Sequence, residues 1–207
     1  TVEGVGGVTE SIVVRFDPDR QAVEAVRERR YRALVLSSKP AEADPAEVAE
    51  VLAQAAARDP ERALALGGDG GSLLERLAFL RRACPELDLP DLTGPGIAAL
   101  LPLLCAGRRS FADLKRVDLT SAVRTHLGYV RAAEVDRLAP ERLPVPSGSM
   151  VRLRYEPDGP PVLPVKLQEC FGLVDTPRVA NGRVAVKMEL LGPNQRPVQI
   201  TQDLASF

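Results

Sequence analysis

The chain has 207 residues, of which 45% are hydrophobic and 27% are charged, and its formal net charge is -1. This balance is typical of a folded globular protein and excludes a disordered chain. The near-neutral charge also excludes a global basic field, so any binding of nucleic acid must come from a local basic patch.

Targeting signals are missing from the sequence as given. It contains no long apolar run that could span a membrane, and the opening Thr1-Val-Glu-Gly lacks the basic and apolar regions of a signal peptide. We therefore expect a cytoplasmic location and no membrane partner. The missing initiator methionine and the end at Phe207 predict a piece of a longer polypeptide.

The first 40 residues favour β-structure. Residues 11–16 are rich in β-branched and aromatic side chains, and Asp17-Pro18-Asp19 follows them as a turn, which predicts a hairpin. Residues 21–36 are ambiguous, because Val23 and Val26 fit a helical face whereas Ala33-Leu-Val-Leu36 suits a buried strand.

The middle of the chain predicts helices. Asp44-Pro45 supplies an N-cap and a first-turn proline for a helix through about Ala57, and Asp59-Pro60 repeats that start signal. Ser72-Leu-Leu-Glu75 has the form of a capping box, in front of a face made by Leu73, Leu77 and Leu80. Further starts are predicted after Gly94-Pro95-Gly96, at Ser110 and at Asp118.

Beyond Pro140 the pattern changes to Pro/Gly turns between short apolar runs. Strands are predicted at residues 150–155, 162–165 and 184–191, and Asn181-Gly182 is a pair that closes tight hairpins. We expect Leu167 and Phe171 to pack a short helix into this β-rich region. We also expect Thr201 to begin a terminal helix that docks Leu204 and Phe207.

Together these patterns predict an α+β fold in three parts. Residues 1–40 form a β-rich segment, residues 41–140 a central helical bundle, and residues 141–207 a small β-rich domain with a short helix.

Four segments in the last part of the chain are distinctive: Leu138–Gly148, Val162–Gly172, Asp175–Arg178 and Pro197–Phe207. They resemble the C-terminal signature of the bacterial HrpB family of ATP-dependent RNA helicases. The C-terminal 60 residues carry most of the specificity of this resemblance, and weaker similarity extends upstream through Ala78–Arg82 and Tyr31–Leu36. Cys170 departs from the pattern, because a leucine is expected there.

The resemblance implies a DEAH-type parent with two ATPase motor domains, a winged helix, a helical bundle and an OB-like β-domain. Residues 1–40 would be the end of that OB-like domain, and the motor domains of the same polypeptide would be a partner of this region. ATP and magnesium would bind in those motor domains, and we expect no cofactor in this chain.

The sequence itself offers no catalytic chemistry. A phosphate-binding loop needs the form GxxxxGK[ST], and Gly67-Gly-Asp-Gly-Gly-Ser72 has no lysine. The single histidine, His126, lies in a predicted helix without an adjacent nucleophile. Three widely spaced cysteines form no metal-binding pair, so we predict reduced, buried thiols and no metal.

Basic charge is segregated along the chain. Residues 15–32 hold six arginines against four acids, whereas residues 39–75 hold three basic residues against eight acids. Arginines can contact phosphates and an aromatic ring can stack on a base, so we predict contacts with RNA or another single-stranded nucleic acid. The candidate residues are Arg27, Arg29, Arg30, Tyr31, Arg32, Arg152, Arg154 and Lys166.

Two alternatives stay open at this point. The arginines could instead pair with Glu24, Glu28 and the acidic helices. In that case the chain would be a protein-interaction or scaffolding module that docks on the helicase core, rather than an accessory region that assists RNA binding.

Overall fold

The computed structural model describes residues 2–3 and 7–204, and it has the predicted α+β fold. The strands are β1 Val2–Glu3, β2 Val8–Asp17, β3 Ala22–Tyr31, β4 Leu34–Pro40, β5 Arg142–Pro144, β6 Met150–Arg152, β7 Val162–Lys166, β8 Arg178–Val179, β9 Val184–Ala185, β10 Lys187–Leu191 and β11 Pro197–Thr201. The α-helices are α1 Pro45–Arg58, α2 Pro60–Ala63, α3 Gly68–Ala83, α4 Leu101–Cys105, α5 Phe111–Leu114, α6 Leu119–Leu127 and α7 Tyr129–Leu138. Short 3₁₀ helices span Pro85–Leu87, Gly94–Leu100 and Leu167–Cys170.

The chain divides into two compact units, each built from two separate segments. The first unit is Thr1–Leu66 with Ile97–Ala122, and the second is Gly67–Gly96 with Val123–Phe207. The predicted three-part division follows changes of secondary structure along the chain. As a division into domains it stays a prediction, and so does the OB-like character of residues 1–40.

The first unit contains a four-stranded antiparallel sheet with the order β1-β2-β3-β4. The predicted hairpin is confirmed: β2 and β3 pair without interruption from Val8 opposite Tyr31 to Asp17 opposite Ala22. The Asp17 carboxylate closes the turn, because it accepts hydrogen bonds from the backbone N–H groups of Asp19 and Arg20. The ambiguous residues 21–36 are therefore not helical: they form β3, a short turn and the start of β4.

Helices cover part of this sheet. Helix α1 packs against β2, β3 and α4, and its Leu52 is completely buried beside a core that includes Leu100 and Leu104. The predicted cap is confirmed, since the Asp44 carboxylate accepts a hydrogen bond from the backbone of Ala46. Asp59, Ser110 and Asp118 also accept such bonds at the starts of α2, α5 and α6.

The second unit packs α3 with α7 and carries a three-stranded sheet with the order β11-β10-β7. β10 is parallel to β7 and antiparallel to β11. Its core includes Leu77, Leu80, Leu163, Met188 and Leu190. The predicted leucine face of α3 is thus confirmed.

The predicted capping box at Ser72 is wrong. Helix α3 begins at Gly68, four residues before Ser72, and Gly70 and Gly71 are buried within it. Glycine has low helix propensity, but burial of the first turns in the second unit outweighs that preference. Asp69 lies in this first turn, where a carboxylate interacts favourably with the helix dipole.

Two predictions near the C-terminus are also wrong. Phe171 and Leu167 are 69% and 40% exposed, because the helix is a 3₁₀ helix that ends at Cys170 and buries that thiol instead. Thr201 ends β11 rather than beginning a helix, and residues 202–204 are not helical. The predicted docking of Phe207 lies outside the described residues.

Candidate nucleic-acid interface

One face of the first unit's sheet changes from covered to open along β3. Side chains alternate between the two faces of a strand, so Val23, Ala25, Arg27 and Arg29 share one face. Val23 and Ala25 are buried, whereas Arg27 and Arg29 are exposed. The helices therefore cover only the first half of this face.

Strand pairing brings a third cation beside these arginines. Lys39 of β4 lies directly opposite Arg27, and Ser37 lies opposite Arg29. Residues directly opposite each other in an antiparallel pair point to the same face. We call Arg27, Arg29 and Lys39 the basic strip.

An apolar side chain and one acid complete this surface. Ile12 of β2 lies opposite Arg27 and is 46% exposed, and Glu10 lies opposite Arg29. Glu10 approaches Arg27 to 3.6 Å, a loose ion pair between two exposed side chains, which contributes little to stability. Within the described part of the chain, neither Arg29 nor Lys39 forms an ion pair. The basic strip therefore keeps cationic donors free for a ligand.

Arg30 does not belong to this surface. It points to the opposite face, where its guanidinium lies 2.7 Å from the Glu28 carboxylate. Glu28 is only 2% exposed, and Arg15 also reaches it at 3.4 Å. A second hydrogen bond, from Arg15 to Glu24 at 2.6 Å, raises the pKa of Arg15. Arg30 therefore pairs with Glu28, as the second of the two alternatives left open by the sequence had it.

The remaining two candidates of this region lie at the end of β3 and in the turn to β4. Arg32 has a positive φ of 52°, and its guanidinium carbon lies 5.7 Å from the centre of the Tyr31 ring. Tyr31 is 41% exposed and shares a face with Arg29. An exposed ring backed by a guanidinium is suited to stacking on a nucleobase.

The candidates in the second unit have acidic neighbours. Arg152 lies 2.7 Å from Asp69 and 3.1 Å from Glu141, and the hydrogen bond to Asp69 raises the pKa of Arg152. Arg154 lies 3.0 Å from Glu189. Both arginines are half exposed, and both are engaged by carboxylates of the second unit.

Lys166 differs from these two arginines. It ends β7 on the surface and forms no ion pair among the described residues. Its role in nucleic-acid binding, like that of the other candidates, stays a prediction.

Sequence reasoning missed Lys39 and Ile12. Lys39 was counted with the acidic residues 39–75, and Ile12 was considered only as one of the β-branched residues of the strand predicted at residues 11–16. The missing information was the register between β2, β3 and β4, which depends on the lengths of their turns. The Asp17 turn signal would have aligned β2 with β3 and so placed Ile12 beside Arg27.

The described residues offer little other chemistry. They contain no group of three or more His, Cys, Asp or Glu side chains that could hold a metal ion. The predicted buried, reduced thiols are confirmed, and burial raises the pKa of Cys105 to about 11. His126 is exposed on α6. No helix in the described ranges is long and apolar enough to cross a bilayer.

Comparison with known proteins identifies relatives along the whole chain. A family model described as the ATP-dependent helicase C-terminal region, HrpB_C, matches residues 100–207. The ATP-dependent RNA helicase HrpB of Escherichia coli strain K12 is 39% identical over 137 residues, which are 64% of this chain and 17% of that protein.

Solved structures agree with this sequence match. The E. coli DExH-box NTPase HrpB superposes with a TM-score of 0.78 at 30% identity, over 97% of this chain and 26% of that one. A second structure, of the Escherichia coli DEAH/RHA helicase HrpB, gives 0.74 at 31% identity, over 99% and 27%. The chain therefore spans about a quarter of these relatives. It belongs to the HrpB family of helicases and corresponds to their C-terminal region.

Proposed function

We propose that this chain is an accessory region that holds single-stranded RNA for a cytoplasmic HrpB-type helicase, without reading its sequence. The observation that supports it most is the basic strip, in which Arg27, Arg29 and Lys39 lie together on an open sheet face. Lysine and arginine side chains that contact phosphates position a strand but carry no base information.

The neighbouring aromatic ring extends this proposal to the bases. Tyr31 follows Arg29 on the same face, so a strand held at the basic strip would bring a base within reach of its ring. Stacking of this kind is tolerant of sequence, because every base presents a flat face. ATP and magnesium would bind in motor domains outside this chain, since no segment here has the GxxxxGK[ST] form.

The proposal is tested by fluorescence anisotropy of a labelled single-stranded RNA with this chain across a salt series. If three phosphates contact the basic strip, log affinity falls against log salt with a slope of at least about 2 in magnitude, at roughly 0.7 per phosphate. RNAs of different sequence should bind alike. No binding at low salt would contradict the proposal.

A second function is favoured by a different observation. Leu34, Val35 and Leu36 of β4 are 69%, 48% and 57% exposed, on an edge strand of the sheet. Exposed apolar groups of this kind suit protein contacts, so the chain would dock on the motor domains of its parent. Such docking would depend little on salt and would be weakened by Leu34→Ser/Leu36→Ser, which leaves the basic strip intact.

A further inference from the structure

A second cationic site lies in the first unit, away from the basic strip. The loop between α4 and α5, helix α5 itself and the residues just after it line a shallow pocket of about 400 Å³. Its lining residues are Gly107, Arg108, Arg109, Asp113 and Arg116, which we call the arginine pocket. Three arginines and one aspartate thus line one shallow depression.

The backbone of this segment is held in place on two sides. Gly107 has a positive φ of 71°, which lets the chain turn sharply after α4. The Arg108 guanidinium donates to the carbonyl oxygens of Leu104 and Ala106 at 2.9 and 3.1 Å. The carbonyl oxygen of Arg109 accepts a hydrogen bond of 2.7 Å from the backbone of Val23 in β3. A ligand would therefore meet a loop that is already ordered.

The one carboxylate among the lining residues is already engaged. Asp113 accepts hydrogen bonds from the Ser110 hydroxyl at 2.7 Å, from the Ser110 backbone at 3.1 Å and from the Arg109 backbone at 3.3 Å. These bonds, led by that of the Ser110 hydroxyl, hold the pKa of Asp113 below its usual value, so it stays ionised at neutral pH. It nevertheless cancels only one of three positive charges.

The guanidinium donors of the pocket remain largely free. Arg109 and Arg116 form no ion pair in the ranges that the structure describes, and Arg108 uses a single nitrogen, Nη1, for its two carbonyl contacts. Each guanidinium carries five N–H donors in a planar fork that matches the oxygens of phosphate. Clustered free donors with net positive charge in a concave site are the chemistry of anion binding.

We propose that the arginine pocket binds a phosphate group, and that this group is the backbone phosphate of single-stranded RNA. The phosphate chemistry stands on the pocket alone, whereas RNA as its source rests on the proposed function. The backbone N–H of Val23 donates to the Arg109 carbonyl oxygen, so Val23 marks the position of the pocket on β3. Val23 precedes Arg29 by six residues in that strand. At about 3.3 Å per residue the two sites are separated by roughly 20 Å along that strand. An RNA of several nucleotides would span both.

The test is NMR of the arginine side-chain N–H groups in this chain during titration with inorganic phosphate. Saturable shifts at Arg108, Arg109 and Arg116 are expected, with smaller shifts at exposed arginines such as Arg58. Arg109→Gln/Arg116→Gln should abolish saturation, and Arg58→Gln should not. Arg108 is left unchanged because its carbonyl contacts stabilise the loop. Equal, unsaturated shifts at all exposed arginines would overturn the proposed pocket.

A second titration, with a single-stranded oligouridylate, identifies the source of the phosphate. The oligonucleotide should shift the same three arginines and compete with inorganic phosphate. Arg109→Gln/Arg116→Gln should then weaken RNA binding about tenfold, or ~1.4 kcal/mol. Reversing the charge of the basic strip should leave phosphate binding unchanged, which separates the two sites. Phosphate binding without competition by RNA would overturn RNA as the ligand.

Discussion

Removal of Asp136 should destabilise the second unit more than removal of Arg76, the buried arginine that it binds. Arg76 of α3 is 4% exposed, and its guanidinium donates to the Ala139 carbonyl and to Asp136, both at 2.6 Å. Asp136 also accepts two hydrogen bonds from Arg124, at 2.9 and 3.1 Å. One carboxylate therefore pairs with two cations, of which only Arg76 is buried.

The magnitudes follow from what each substitution leaves behind. Asp136→Ala leaves a buried cation with one carbonyl, and breaking a buried pair in this way costs about 3–5 kcal/mol. Because the Asp136 side chain is 43% exposed, water can partly replace it, and we expect roughly 2–3 kcal/mol. Arg76→Met keeps apolar volume in place and leaves Asp136 with Arg124, but the buried Ala139 carbonyl loses its side-chain donor, so we expect about 1–2 kcal/mol.

Urea unfolding provides the assay. Tyrosine fluorescence reports on the second unit through Tyr155, which is buried 5.3 Å from the Phe79 ring, and circular dichroism reports on all helices. The urea midpoint should be highest for wild type, lower for Arg76→Met and lowest for Asp136→Ala. An Arg76→Met protein that is less stable than Asp136→Ala would refute this reasoning, because burial of the cation would then not determine the cost.

Three further predictions concern single groups. Burial raises the pKa of Asp136, but hydrogen bonds from Arg124 and Arg76 outweigh burial, so the pKa is lowered in the folded protein. The contribution of Asp136 to stability is therefore complete above the ordinary aspartate pKa of about 3.9. It is lost as the pH falls through the lower pKa of the folded state. Urea midpoints between pH 5 and 2, read at roughly one-unit steps, should accordingly fall less steeply for Asp136→Asn than for wild type. Ser110→Ala removes the cap of α5 and should cost about 1 kcal/mol in thermal unfolding, whereas Ser72→Ala, inside α3, should cost much less. Phe171→Ser should lower the free energy of unfolding, measured with urea, by less than about 0.5 kcal/mol, since an exposed ring contributes little to packing. A larger loss would mean that this ring is covered.

Local signals in the sequence predicted most elements correctly. Asp44, Asp59 and Ser110 were recognised as helix caps because the hydrogen bonds that they accept come from residues two or three positions away. The turn at Asp17 and the positive φ angles of Asn181 and Gly182 are local in the same way. Such features depend on short-range geometry alone.

The errors arose where distant contacts decide the structure. Gly70 and Gly71 are helical because the second unit buries them, whereas the local sequence predicted that the helix begins only at Ser72. Arg29 and Arg30 are neighbours in sequence but lie on opposite faces of β3, because side chains alternate along a strand. Arg29 is exposed whereas Arg30 binds Glu28, and this difference depends on residues 22–31 forming a strand rather than a helix.

The central claim, that the basic strip holds RNA, is tested most directly by two matched triple variants. Arg27→Glu/Arg29→Glu/Lys39→Glu reverses the strip, and Arg58→Glu/Arg131→Glu/Arg196→Glu makes the same charge change at exposed arginines that form no ion pair among the described residues. Binding of labelled single-stranded RNA is measured across a salt series for both. For the strip variant, the magnitude of the slope of log affinity against log salt should fall by roughly 2, at about 0.7 per phosphate contact. The control variant should keep its slope. Equal loss in the two variants would contradict the claim, because binding would then depend on net charge and not on this surface.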